Sequence, residues 1–179
     1  MSKSVPKIIR QVAYYRPALQ QQTYYTEIEV EETTKVRKHW VTNQHLYWVP
    51  AGADLEDPDG YLEPLEDPDL NIRRDWSRYR EIYQILTPAA IKANRERYQL
   101  SGREYALILG ISHSSLSELE NGLVLQSDEQ DSLLTMAANQ TAFYQLLRRR
   151  QAIFTTVFSD QKYAAILKRV EEMVTSKPN

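Results

Sequence analysis

"SGREYALILGISHSSLSELENG", residues 101–122, decides how the second half of this 179-residue chain folds. Two short helical patterns meet in it across a sharp turn. Ser101 stands three residues before Glu104. At that spacing the serine hydroxyl accepts from the backbone N–H of Glu104, whose carboxylate reaches back to the serine N–H. The box opens a helix that runs to Gly110, where the turn needs a positive φ and glycine tolerates one. Ser112 caps a second helix, which Asn121-Gly122 ends. The positions that such a pair buries fall on Tyr105, Ala106, Leu109, Ile111, Leu116 and Leu119. Ala106 is small where the second helix crosses close to the first. Two short helices packed at a steep angle satisfy all of these constraints together.

The outward positions of the second helix carry His113, Ser114, Ser117 and Glu118. In a helix-turn-helix such residues face base edges in a major groove. Serine donates or accepts, histidine donates to a guanine, and glutamate accepts from a cytosine amino group. None of the four is an arginine, lysine or glutamine, so this helix offers discrimination and little affinity.

Bulk properties bound the rest. A hydrophobic fraction of 42% with 26% charged residues describes a folded, soluble chain. No apolar run approaches the roughly 18 residues of a membrane helix, and "MSKSVPKIIRQVAYYRP" lacks the apolar core of a secretory signal. Without cysteine there is no disulfide, thiolate zinc site or cysteine nucleophile. A cytoplasmic location is the expectation. The net charge of −2 gives no bulk attraction to nucleic acid, so any such binding must be local. Residues 51–70 hold eight acids and no base, whereas residues 71–110 hold eight bases against four acids.

Working outward, residues 5–15 suggest a short helix. Period-two alternation from Tyr24 to Glu31, then "HWVT" and "HLYWV", predicts a small antiparallel meander over 23–50. The acidic stretch repeats Leu-Glu-Asp-Pro-Asp at 55–59 and 65–69, with prolines that break regular structure. Its spacing does not match a calcium-binding loop, and a solvated acidic linker is expected, with DNA mimicry or a partner-binding strip as the alternatives. Ile72, Trp76, Tyr79, Tyr83 and Leu86 form one stripe of a helix whose other face carries arginines. Thr87-Pro88 starts another helix, with Ile91 and Tyr98 facing inward, and Ser127 with Gln130 forms a second capping box. Helices are expected at 140–156 and 159–174, and the stripe Tyr163, Ile166/Leu167, Val170 and Met173 is either core or a dimer seam. Tyr14-Tyr15 and Tyr24-Tyr25 are candidates for an interface. The fold class expected is α+β, mainly α: a strand-rich domain (1–70), a five-helix-type helix-turn-helix domain (71–138) and C-terminal helices (139–179).

The segment "LTPAAIKANRERYQLSGREYALILGISHSSLSELENG" resembles the Xre family of lambda-repressor-like helix-turn-helix regulators. The marks are "L-S-x-R-E-x-A", "L-G-I-S", "S-x-L-S-x-L-E-N-G" and the amphipathic helix before them. "NIRRDWSRYREIYQILTPAAIKANRERY" is similar to the linker and first helix of YgiT/MqsA-type antitoxins, in which a small strand-rich domain precedes the same unit. The resemblance implies base reading by His113, Ser114, Ser117 and Glu118, and phosphate contacts from Gly102, Arg103, Arg95, Arg97 and Asn121. It further implies a homodimer on a palindromic operator in double-stranded DNA, repression of its own operon, and a co-encoded toxin as partner. Many such antitoxins bind zinc through two Cys-x-x-Cys pairs. This chain has none, and His39 and His45 alone cannot close a tetrahedral site, so no metal or cofactor is expected. Glycine at 102, where the family often has glutamine, leaves only a backbone N–H for a phosphate. No nucleophile elbow, phosphate loop or fixed acid pair is present, and catalysis is not expected. The rival reading is a protein-interaction module that keeps the scaffold without DNA readout.

Overall fold

The computed structural model describes residues 5–176. The chain is α+β and mainly α, a three-stranded antiparallel sheet followed by eight helices among the described residues. It divides into two compact units, the first 83 residues and the remainder.

In the first unit, β1 (Lys7–Arg16), β2 (Gln21–Val36) and β3 (His39–Pro50) form a meander in that order. The helix expected at 5–15 is a strand instead. Ile8, Ile9 and Val12 favour extended backbone, and pairing with β2 puts Val12 opposite Tyr25. Tyr25 and Trp48 pack against Val12 on one face, while Ile28, Val30 and Val49 cluster on the other. The β2–β3 turn is the two residues Arg37-Lys38, with Arg37 at φ 56°, a conformation that two-residue hairpins demand and that an arginine adopts at a cost.

The outer edge of β3 is covered from Gln44 to Trp48. Trp48 exchanges both backbone bonds with Leu62. The Asn71 side-chain amide accepts from Leu46 N–H and donates to Leu46 C=O, standing in for a fourth strand. Arg74 donates to the carbonyl of Gln44. Both groups come from α1 (Leu70–Tyr83), which packs against the sheet. The expected boundary at residue 70 is therefore displaced to 83, and the helix that was to open the second domain closes the first. Its buried face is also rotated from the apolar stripe. Asn71, Asp75, Tyr79 and Arg80 are buried, while Ile72 and Tyr83 are exposed. Polar groups face inward because the sheet edge presents backbone and polar side chains that must be satisfied. Asp75 accepts from Thr34 Oγ1 at 2.6 Å and lies 2.8 Å from His45 Nε2. Glu32 lies 3.0 Å from His45 Nδ1 and accepts from the Tyr47 hydroxyl. Burial and the adjacent Glu32 carboxylate push that hydroxyl above the ordinary tyrosine range.

Nor is the acidic stretch 51–70 a free linker. Leu55, Tyr61 and Leu65 pack on the sheet clusters, and Glu63 accepts from Asn71, its carboxyl raised by burial. Most of its acids remain exposed. Of the tyrosine pairs, Tyr25 is buried and Tyr14 rests on Trp48, leaving Tyr15 and Tyr24 outward.

The second unit contains α2 (Pro88–Arg97), α3 (Gly102–Leu109), α4 (His113–Glu120), α5 (Asp128–Ala138), α6 (Gln140–Arg149), α7 (Gln151–Val157) and α8 (Asp160–Thr175). The N-caps at Thr87, Ser101, Ser112 and Ser127 all form, with complete capping boxes at Ser101 and Ser127. The helix expected over 140–156 breaks at Arg150 into α6 and α7. One core joins α2 through α8, so the expected divide at 138 is absent. Tyr98 stacks on Phe143 with centroids 4.0 Å apart, and burying such a ring is worth about 1.5–3 kcal/mol. Tyr163, Ile166 and Val170 are in this core, which decides the C-terminal stripe between its two readings.

Tyr105 is fully buried at the centre, yet its hydroxyl has no hydrogen-bond partner among the described residues. Burial pushes that hydroxyl's pKa above the ordinary range. Replacing it with phenylalanine removes an orphaned donor at nearly constant shape. Tyr105→Phe is expected to stabilise this unit by about 1–2 kcal/mol in chemical denaturation; a loss of stability would mean the hydroxyl has a partner.

Candidate nucleic-acid interface

Helices α3 and α4 meet across Gly110-Ile111-Ser112, with Gly110 at φ 78°. Its N–H bonds Ala106 and Leu107 carbonyls, and Ile111 N–H also bonds Ala106. Ala106, Leu109, Leu116 and Leu119 are buried as expected, with Ile111 half-buried. The pair is held on a hydrophobic core, which is what gives an outward helix a fixed orientation.

On the other side of α4, His113, Ser114, Ser117 and Glu118 are all exposed. Ser112 Oγ caps the Ser115 N–H and lies 2.9 Å from Ser114 Oγ. Asn121 donates to the Ser117 carbonyl at 2.7 Å, closing the C-terminal turn of α4 on itself. Serine hydroxyls rotate freely enough to trade these contacts for base edges.

Gly102 has a local explanation. The His113 ring from α4 lies over it, so an added Cβ would meet Nε2 at 3.0 Å. Glycine at the start of α3 makes room for an imidazole at the start of α4. Both residues adjoin Arg103, which is exposed and unpaired among the described residues. Arg103 and His113 also border an open apolar depression of about 430 Å³ with Leu107, Ile111 and Phe158.

The other cations assigned to phosphates are engaged elsewhere. Arg95 makes a bidentate ion pair with Glu120 at 2.7 and 2.9 Å and donates to the Leu100 carbonyl. Its side chain is only 15% exposed. Arg97 donates to the Ala138 carbonyl and lies over the Tyr98 ring. These two arginines tie helices together, because each reaches a partner far along the chain that no local pattern reveals.

Sequence reasoning passed over two further cations. Lys162 of α8 pairs with Glu104 at 2.6 Å. Burial alone would raise the Glu104 pKa, but hydrogen bonds from Lys162 and Ser101 outweigh it and hold the carboxyl below the usual range. Arg150 places its guanidinium against Gly110. The visible signal was the arginine run 148–150 at the end of an amphipathic stretch.

In the first unit, the His45, Asp75 and Glu32 cluster is the densest set of titratable groups, but His45 and Asp75 are buried and matched to partners inside that unit. Among the described residues no group of three His, Cys, Asp or Glu is placed to hold a metal, and no helix is long and apolar enough to cross a membrane. No protein-family model, curated protein or solved structure matches the chain.

Proposed function

We propose that this chain is a sequence-specific DNA-binding regulator that reads bases with α4. The observation that carries the reading is the division of labour in that helix. Leu116 and Leu119 bury its inner side, while His113, Ser114, Ser117 and Glu118 stand exposed where base contacts are made in a major groove. Arg103 at the start of α3 supplies the phosphate contact beside it. The resemblance to Xre regulators and YgiT/MqsA-type antitoxins extends this to a cytoplasmic repressor. As a homodimer it would bind a palindromic operator with half-sites about one helical turn apart, and it would neutralise a co-encoded toxin.

Fluorescence anisotropy with duplex from just upstream of its own reading frame, over a range of salt, tests the reading. Arg103→Ala is expected to weaken binding to all duplexes about equally and to flatten the salt dependence by about 0.9 in log–log slope. Ser114→Ala and Glu118→Gln are expected to change which sequence is preferred, by about 1–3 kcal/mol at the affected base pair. If none of the three alters binding, α4 is not a reader.

One observation favours the rival reading of a protein-interaction module. Arg95 and Arg97 are occupied within the unit, which thins the positive charge around α4. Absence of any DNA binding at low salt would decide for it.

A further inference from the structure

We propose that the DNA-contacting surface continues past α3 and α4 onto the α6–α7 junction, where Arg150 supplies a phosphate contact. This deepens the reading above and rests on it. Arg150 sits where the helix expected over 140–156 breaks, serving as the C-cap of α6 and the N-cap position of α7. The break carries its side chain onto the α3–α4 turn. An added Cβ on Gly110 would fall 2.4 Å from Nη2 and 3.2 Å from Cζ, so the guanidinium meets the glycine by its Nη2 edge. Gly110 is favoured by its positive φ, and its bare Cα lets Arg150 approach this closely.

The contact does not explain itself as a cap. Of the last four carbonyls of α3, those of Ala106 and Leu107 already accept from Gly110 and Ile111 N–H groups, and Arg150 is not hydrogen-bonded to the other two. No hydrogen bond or ion pair holds the Arg150 guanidinium among the described residues, although the residue is half-buried. With no such partner and part of its surface open to solvent, the guanidinium is free to take an anion. Other arginines of this unit are engaged: Arg148 lies over the Tyr144 ring, and Arg95 is saturated by Glu120. Arg103 and Arg150 are therefore unpaired cations that touch α3 and the turn leading into α4. The outward face of α4 has no arginine or lysine and includes Glu118. A polyanion that brings bases to this face needs cations beside it, and a planar guanidinium matches a phosphate.

Two duplexes serve as probes: the DNA just upstream of the reading frame, and a shuffled duplex of the same composition. Arg150→Gln and Arg150→Met are each expected to lower affinity for both duplexes roughly tenfold and to reduce the log–log salt slope by about 0.9. Arg150→Lys keeps the charge and is expected to retain the slope. Thermal unfolding of each variant separates lost folding from lost contact. If the unaltered chain binds while Arg150→Gln and Arg150→Met keep its slope, the Arg150 contact is overturned and the DNA reading stands. If the unaltered chain binds neither duplex at low salt, both fall.

Discussion

Arg95→Ala is expected to destabilise the second unit by about 2–4 kcal/mol while leaving the salt slope of any DNA binding unchanged. The guanidinium holds both Glu120 oxygens and the Leu100 carbonyl. Deleting it strands a carboxylate on α4 whose side chain is only 11% exposed, next to a carbonyl that also loses its donor. Surface ion pairs contribute little because water replaces either partner. Here burial removes most of that replacement, and the bidentate geometry adds direction. Since Glu120 lies on α4 and Arg95 on α2, the pair sets how α4 is held relative to α2. Glu120→Gln should cost less, since the amide keeps an acceptor for Arg95. Urea unfolding followed by circular dichroism measures both. A change below about 0.5 kcal/mol for Arg95→Ala would show that water reaches the pair freely.

The ion pair also marks where sequence reasoning stops. The caps of α2 through α5 were legible because each depends on residues three apart, Ser101 with Glu104 and Ser127 with Gln130. The buried positions of α4 and most of those of α3 were legible from helical spacing, but Ile108 and Glu104 are buried as well, because α3 is packed around more than one side. Arg95 was assigned to a phosphate because helical spacing shows only that it is a cation on a helix, and its partner is 25 residues away. Strand β1 was misread for a related reason. "KIIRQVAYYR" has apolar residues at spacings that suit a helix or a strand, and only pairing with β2 decides between them. In the candidate interface, the exposed face of α4 was readable in full. Arg150 was not, because reaching the turn needs the α6–α7 break, and the periodicity of 140–156 gives no warning of it.

The same limit hid the inward polar face of α1, and Asp75→Ala measures what that face contributes. The variant is expected to lower the stability of the first unit by about 2–4 kcal/mol, because it leaves buried hydrogen-bonding groups without their acceptor. Asp75 accepts from Thr34, lies against His45 Nε2 and is approached by Asn43 at 3.5 Å. With the carboxylate gone, His45 and Thr34 keep their positions on the sheet without that acceptor, and the orphaned groups carry most of the cost. Tyr79 and Asn71 would still hold α1, so the helix loosens before it detaches. Trp40, Trp48 and Trp76 all belong to the first unit, which makes tryptophan emission a reporter of that unit alone. Combining Asp75→Ala with Thr34→Val should cost less than the sum of the two, because the double variant no longer strands the threonine hydroxyl. Strict additivity would show that Asp75 and Thr34 are not coupled. In that case α1 would be held on the sheet by Asn71 and Tyr79, and the buried Asp75 would contribute through His45 and Asn43.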